Sequence, residues 1–355
     1  MITDKSKLVS DAVNLLKELI AVPSFSRDEA KAADVMEDFL RKNGIPFQRE
    51  KNNLIAGLEN ISENKPTILL NAHIDTVKPA ASWTKKPFSP TLEGDCLYGL
   101  GSNDCGGGLV SLLQVYRYLT QKEQPYNLVY AASAEEEVSG ANGFCLVRDL
   151  LPKIDVAIVG EPTGMQPAIA EKGLMVIDGT AHGKSGHAAR EEGVNAIYKA
   201  LEDINWIRNY KFKKTSELLG DTKMTVTVIN AGAQHNVIPD KCSFVVDVRT
   251  NEHYTNEELF HFIDKNTKSE MKVRSFRLNS SHIGEAHTLI RKCKEMGMTP
   301  FGSPTLSDQA LMNFPSFKFG PGQSSRSHSA DEFIKLSEIA DAIDKYIYLL
   351  DGTAI

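Results

Sequence analysis

TILLNAHIDTV, residues 67–77, decides the fold. Its first half, Thr67–Asn71, is a β-rich apolar run without alternation, the texture of a strand buried on both faces of a sheet. His73 and Asp75 follow at once, and two residues apart on an extended chain they face the same side. Two similar runs lie downstream, Leu128–Ala132 and Val156–Val159, with a helical stretch, Gly107–Thr120, between the first two. Strand, helix, strand in that order predicts an α/β sheet, mostly parallel, with crossover helices on its faces. Helical spacing over Ser10–Ile20 and Asp28–Lys42 adds two helices before it, the second ending at an Asn43-Gly44 pair suited to a C-cap.

The texture changes near Lys172. From there the pattern reads strand (Leu174–Ala181), helix (Asn195–Tyr210), strand (Thr225–Asn230), strand (Ser243–Arg249), helix (Asn256–Lys268) and strand (Val273–Leu278). That βαββαβ order predicts an α+β ferredoxin-like module. After Gly284 come a helix (Ala286–Met296), a strand (Phe317–Phe319) and a final helix (Leu336–Leu349). The expectation is one α/β domain, residues 1–172 and 284–355, interrupted by a smaller inserted domain, residues 173–283.

A length of 355 residues suits two domains. The net charge of −6, with basic residues scattered, gives no stripe for a phosphate backbone, so no nucleic-acid partner is expected. Five cysteines without a C-x-x-C pair suggest neither a disulfide framework nor a thiolate metal site. The N-terminal stretch, residues 1–24, reads as a charged amphipathic helix and not a secretory signal, and no run is apolar for long enough to span a membrane; a cytoplasmic protein with no membrane partner is expected.

Four more stretches concentrate metal-type ligands. In LYGLGSNDCGGGL (97–109), Asp104 sits among glycines; a phosphate loop is the rival reading, but GxxxxGK[ST] is absent and the G-x-G-x-x-G spacing fails. In VYAASAEEEVSG (129–140), Glu135, Glu136 and Glu137 directly follow an apolar run. Exposed Glu runs are ordinarily solvated helix surface. After a buried strand, adjacent carboxylates can instead divide the labour of ligand and proton acceptor. AIVGEPTG (157–164) places Glu161 at a further strand end, and FGPGQSSRSHSADEF (319–333) places His328 in a Gly/Ser loop before what reads as a helix start at Ser329, Asp331 and Glu332. Two imidazoles with several carboxylates suit zinc, cobalt or manganese, gathered where strands of an open α/β sheet end.

These motifs in this order resemble the acetylornithine deacetylase, succinyl-diaminopimelate desuccinylase and glutamate carboxypeptidase family of di-zinc amidohydrolases, nearest to the first branch. The resemblance spans nearly the whole chain and implies two Zn2+, with Co2+ or Mn2+ as substitutes. It would place His73, Asp104 and Glu161 on one ion and His328, Asp104 and Glu137 on the other, with Asp75 orienting His73. Glu136 becomes the general base, or Glu135 if the triplet slips by one residue. The inserted domain becomes a lid through which a homodimer forms. AHGKSGHAAR (181–190) makes His187 the oxyanion stabiliser, and QHNVIPDKCSFVVDVR (234–249) makes Asn236 and Arg249 substrate contacts. The implied substrate is an N-acyl amino acid, acetylornithine first, in arginine biosynthesis. Acetylcitrulline, succinylated ornithine or citrulline, succinyl-diaminopimelate and an unblocked dipeptide are the alternatives. One departure stands out: relatives carry Lys where this chain has Gly106.

Overall fold

The computed structural model describes residues 5–59, 61–190 and 192–355. The sequence reading of residues 1–4 therefore lies outside the described residues. Within these limits the chain divides into two compact units. One comprises the chain through Ile169 with His282–Phe301 and Ser307–Ile355; the other comprises Ala170–Ser281 with Gly302–Leu306. That last short segment, which the sequence reading left in the first domain, joins the second because Gly302 packs its α-carbon onto the chain at Leu218. A Cβ there would lie 2.3 Å from the Leu218 carbonyl oxygen.

In the first unit the central strands run in the order Asn127–Ser133, Thr67–His73, Val156–Val159, Ser316–Lys318, all parallel. Every residue in these four strands is buried, as their unbroken apolar texture demands. Asn53–Ala56 and then Phe47–Glu50 extend the sheet antiparallel on one side, and Ala168 pairs antiparallel with Lys318 on the other. Helices Lys5–Ile20, Gly107–Leu119 and Leu336–Leu350 pack together through Leu8, Leu15, Leu16, Leu112, Leu113, Ile343 and Ile347, all buried. The helix Gly107–Leu119 approaches the sheet closely at Gly108, where a Cβ would stand 1.7 Å from the Gly160 carbonyl oxygen. Only glycine permits that contact, and it brings the helix start beside the end of Val156–Val159. The parallel register sets His73 opposite Ser133 and Asn71 opposite Val159, so the segments that follow these strands leave the sheet at one edge.

The second unit is a four-stranded antiparallel sheet in the order Lys223–Ala231, Lys241–Thr250, Gly173–His182, Glu270–Val273, carrying helices Ala196–Asn209 and Asn256–Asn266. In chain order this is strand, helix, strand, strand, helix, strand. Its core is Met175, Ile177, Ala200, Ile207, Phe244, Val246, Val248, Leu259 and Ile263.

One strand differs from its sequence reading. The segment read at Val273–Leu278 pairs over Glu270–Val273 instead, opposite Ile177–Thr180. Beyond Val273 the backbone bonds to that neighbour are isolated ones, Arg274 N to Val176 O at 2.9 Å and Leu174 N to Leu278 O at 2.9 Å. Apolar Phe276 and Leu278 imitate strand alternation, but they pack inward from an irregular segment. No helix among the described residues is long and apolar enough to cross a membrane.

Candidate metal centre

His73, Glu137 and Glu161 stand at or just past the carboxyl end of a buried strand, whereas Asp104 lies in the loop before the helix Gly107–Leu119 and His328 follows the turn Ser324–Arg326. His73 ends Thr67–His73 and is 2 % exposed. Its Nδ1 lies 2.9 Å from the backbone oxygen of Asp75 and 3.5 Å from Asp75 Oδ1. Orientation of the ring therefore comes first from the Asp75 carbonyl, where the sequence reading gave that task to its carboxylate. The carboxylate accepts elsewhere: Ser26 Oγ donates to it at 2.7 Å, and the backbone N–H groups of Glu136 and Glu137 at 3.0 and 3.1 Å.

With Nδ1 donating, His73 turns Nε2 toward Asp104 Oδ1 at 3.3 Å, Glu161 Oε1 at 3.6 Å and Glu136 Oε2 at 3.9 Å. On the other side of Asp104, His328 Nε2 lies 3.6 Å from Asp104 Oδ2 and 2.9 Å from Glu137 Oε2. The five residues His73, Asp104, Glu137, Glu161 and His328 thus converge, and Asp104 offers one oxygen to each histidine.

The turn Glu136–Val138 explains how consecutive glutamates share the site. Glu135 and Ser139 bracket it in the left-handed region at φ 53° and 44°, which swings the chain so that Glu136 and Glu137 both enter the cluster. His328 and Asp331 are left-handed too, at φ 58° and 52°. Non-glycine residues hold such angles only where their surroundings fix them, and functional loops are where they gather. Glu135 turns away: its carboxylate accepts from Asn142 Nδ2 at 2.8 Å and Asn142 N at 3.2 Å, and its own N–H meets Glu29 at 3.2 Å.

The electrostatics describe a place short of positive charge. Burial raises the Glu161 pKa to about 8, with Asp104 adding to the effect. Burial likewise lifts Glu136 well above the carboxylate range, with Glu161, Asp308 and Glu137 pushing the same way against His73. At His73 burial opposes the charged ring, but the Asp104 and Asp75 carboxylates beside it outweigh it and its pKa stands well above the ordinary value. His328 is raised to about 9, first by its hydrogen bond to Glu137. Asp104 is lowered, its hydrogen bond to His73 overcoming burial.

The donor set fits metal ions. A neutral His73 with its proton on Nδ1 points a lone pair at three carboxylates, an arrangement that a cation between them satisfies. Glu161 Oε1, buried, has no hydrogen-bond partner among the described residues. The ligand atoms of His73, Asp104 and Glu137 lie within 4.8 Å of one another, as do those of His73, Cys105 and Glu161. Cys105 was not anticipated. Its thiol exchanges hydrogen bonds with the His73 backbone, N to Sγ at 3.2 Å and Sγ to O at 3.5 Å, and burial pushes its pKa up, so it stays a thiol.

Two further acids escaped the sequence reading. Asp308 is buried, accepts from Ser133 Oγ at 2.6 Å and is raised to about 7 by burial. In sequence it is a Ser-Asp pair before a short turn, indistinguishable from a helix cap. Glu332 was read as part of a helix start, but Phe333–Lys335 is a strand and the helix begins at Leu336. Its carboxylate instead accepts from the backbone of the Asp104 loop. Gly106 also finds a reason: a Cβ there would stand 2.3 Å from Gly101 O and 2.7 Å from Leu16 Cδ1, so no lysine fits without moving the backbone.

His187, Asn236 and Arg249 belong to the second unit. His187 is exposed and its Nδ1 accepts from Ala189 N at 3.1 Å, which leaves Nε2 as the protonated nitrogen of a neutral ring. Asn236 is exposed. Arg249 closes both arms of its fork on Asp247, at 2.9 and 3.1 Å.

Known proteins place the chain in context. It is 27% identical to an acetylornithine deacetylase of Proteus mirabilis, over 92% of each chain. It is 28% identical to a succinyl-diaminopimelate desuccinylase of Corynebacterium glutamicum over 94% of each, and 31% identical to one of Pelagibacter ubique over 74% of this chain and 75% of that one. Among solved structures, a dinuclear metal binding peptidase from Bacillus subtilis superposes with a TM-score of 0.71 at 18% identity, covering 98% of this chain and 100% of that one. A tripeptidase from Staphylococcus aureus does so with 0.73 at 18% identity, covering 97% and 98%. Residues 69–351 match the model described as Peptidase family M20/M25/M40. The chain belongs to that family of hydrolases, with the mixed α/β fold its structural relatives share.

Proposed function

We propose that this protein hydrolyses the amide bond of an N-acyl amino acid, with N-acetylornithine as first substrate and ornithine and acetate as products. The observation that carries the reading is the cluster itself: two histidines and two further carboxylates around Asp104, with another carboxylate, Glu136, half-buried beside them. In this reading His73, Asp104 and Glu161 hold one Zn2+ and His328, Asp104 and Glu137 the other, and Co2+ or Mn2+ can replace them. Bound there, the two ions would lower the pKa of a water and polarise the scissile carbonyl.

Glu136 then takes a proton from the attacking water and hands it to the leaving nitrogen, so that the amine departs neutral. Asp75 orients His73 and, through the Glu136 and Glu137 amides, the turn that carries the base and its neighbour. His187 donates its Nε2–H to the oxyanion of the tetrahedral centre, in cis or from a partner copy. Asn236 contacts the substrate, and Arg249 does so by opening its pair with Asp247.

Removal of a succinyl group is the second reading, favoured by the names of the relatives at 28% and 31% identity. Release of free amine from a panel of acetyl and succinyl amino acids and unblocked dipeptides separates the readings. Acetylornithine as the best substrate supports the first, a succinyl substrate the second, and cleavage of dipeptides alone removes both.

A homodimer through the second unit completes the proposal. The strand Lys223–Ala231 is the outer strand of its sheet and exposes Val228 and Ile229, while the neighbouring helix Ala196–Asn209 exposes Tyr198 at 70 %. Edge strands of this kind are ordinarily paired or covered. Sedimentation of Val228→Lys should give a monomer where the wild type gives a dimer. A cytoplasmic place in arginine biosynthesis follows from the first substrate reading and is supported by five free cysteines.

A further inference from the structure

We propose that Glu332 is a positioning residue that fixes Asp104 relative to His328, so that a single C-terminal loop both contributes a ligand and holds the shared ligand in place. The proposal rests on the reading of Asp104 as the ligand common to two ions.

Glu332 is 2 % exposed. Its Oε2 accepts from Gly101 N at 2.9 Å, and its Oε1 accepts from Asn103 N and Asp104 N, each at 2.8 Å. Its backbone oxygen accepts from Gly99 N at 3.0 Å. Four amides of the 99–104 loop therefore terminate on this one residue, the last being that of Asp104 itself. From the other direction, the Asn103 side chain closes a reciprocal pair with the backbone of Gln323, donating to its oxygen at 3.1 Å and accepting from its nitrogen at 2.9 Å. The loop that carries Asp104 is thus braced to the 323–332 segment at two points, and His328 lies between them in sequence.

The chemistry demands a carboxylate of this length. Three N–H groups converge on two oxygens, and a carboxylate can accept all three at once. Glutamine can present one oxygen to Asn103 and Asp104, but its amide nitrogen then faces the Gly101 N–H, donor against donor. Aspartate keeps the charge but is a methylene short of the three amides. In either variant the Asp104 backbone loses its anchor, and its two oxygens lose the placement that sets them 3.3 Å from His73 Nε2 and 3.6 Å from His328 Nε2. Asp331 is the matched control. Its carboxylate accepts from Thr84 N at 3.0 Å and Lys85 N at 2.8 Å, so it straps the same segment to a different loop.

The test uses the full chain, freed of metal by chelation and titrated with Co2+, reading affinity and the visible absorption spectrum alongside the thermal midpoint of the metal-free protein. Glu332→Gln and Glu332→Asp should each lose about tenfold or more in Co2+ affinity, as removal of partners behind metal ligands commonly does, and should alter the spectrum. Asp331→Asn should bind Co2+ like the wild type even if its midpoint falls as far. Should Glu332→Gln not fold, Glu332→Asp decides on the same terms. Wild-type affinity and an unaltered spectrum in the Glu332 variants, whatever stability they lose, overturn the proposal and leave the two-ion reading standing. Uptake of fewer than two Co2+ by the wild type overturns both.

Discussion

The two units put their candidate residues in opposite circumstances. In the first, acids and imidazoles are crowded together and mostly buried: Glu136, Glu161 and Asp308 all have carboxyl pKa values raised by burial, and Glu161 keeps a buried oxygen without a hydrogen bond among the described residues. In the second, His187 and Asn236 are exposed, and Arg249 already has both arms of its fork on a neighbour. Burying a carboxylate without a counter-charge costs free energy, and a fold that does so repeatedly in one place is built around something positive. An exposed residue with an ordinary partner carries no such demand. The first unit therefore declares its chemistry within a single chain, whereas the second supplies groups whose roles depend on what they meet.

The sharpest way to break that contrast is to take the ions away. Chelation should abolish hydrolysis, Zn2+ should restore it, and the helix and sheet signal of the protein should survive in between. Full turnover by protein shown free of metal would leave the buried acids without a purpose. Next in size is Glu136→Gln, expected to cut turnover by about 10²–10⁴-fold with both ions still bound. Glu135→Gln is its control, because that carboxylate is engaged with Asn142 and should affect stability more than rate. Equal losses of turnover in the two variants would undo the assignment of the base.

The ion-free protein should also show the crowding as a pH dependence of stability. Glu161, near 4.5 when unfolded, is raised to about 8, and His328, near 6.5, to about 9; His73 is raised as well. Across that window the folded state holds protons that the unfolded chain has released, so stability falls as pH rises. Bound ions displace those protons and remove the slope. Urea midpoints measured at about pH 5 and about pH 9, with and without Zn2+, check the sign. A chelated protein more stable at the alkaline end would contradict the electrostatic account.

How much of this was legible in the sequence follows the same division. His73, Asp104, Glu137, Glu161 and His328 could be picked out because each follows an apolar run or lies in a Gly-rich loop, and the parallel register then brings those ends together. Spacing favours Glu136 over Glu135 as the base, because Ser139 and Gly140 then keep their positions, and the left-handed Glu135 backbone, which sends its carboxylate to Asn142, supports the same reading. Asp308 and Glu332 were illegible because their partners, Ser133 and the 101–104 amides, are more than a hundred residues away in the chain. The strand read at Val273–Leu278 failed for a local reason, since Phe276 and Leu278 imitate alternation in a segment that has left the sheet. Gly106 was legible only as a departure, and the Gly101 carbonyl supplies its cause.

For the second unit the expected effects are smaller and say whether its groups reach the reaction at all. His187→Ala should lower turnover by about 10²–10³-fold, the scale of one lost oxyanion donor, without changing ion content. An unchanged rate would return His187 to the surface of its Gly-rich turn.

The smallest effect tests Arg249. Because its fork is closed on Asp247, any substrate carboxylate must compete with a partner two residues away on the same strand face, and most of the binding gain is offset by breaking that pair. Arg249→Ala should therefore raise KM by about tenfold or less, some 1.4 kcal/mol, with little change in kcat. Asp247→Asn is the more telling variant, since it weakens the competitor while leaving the guanidinium. If Arg249 binds substrate, KM should fall in that variant. A KM that rises equally in both would mean that the pair merely shapes its strand, and that the carboxylate is recognised elsewhere.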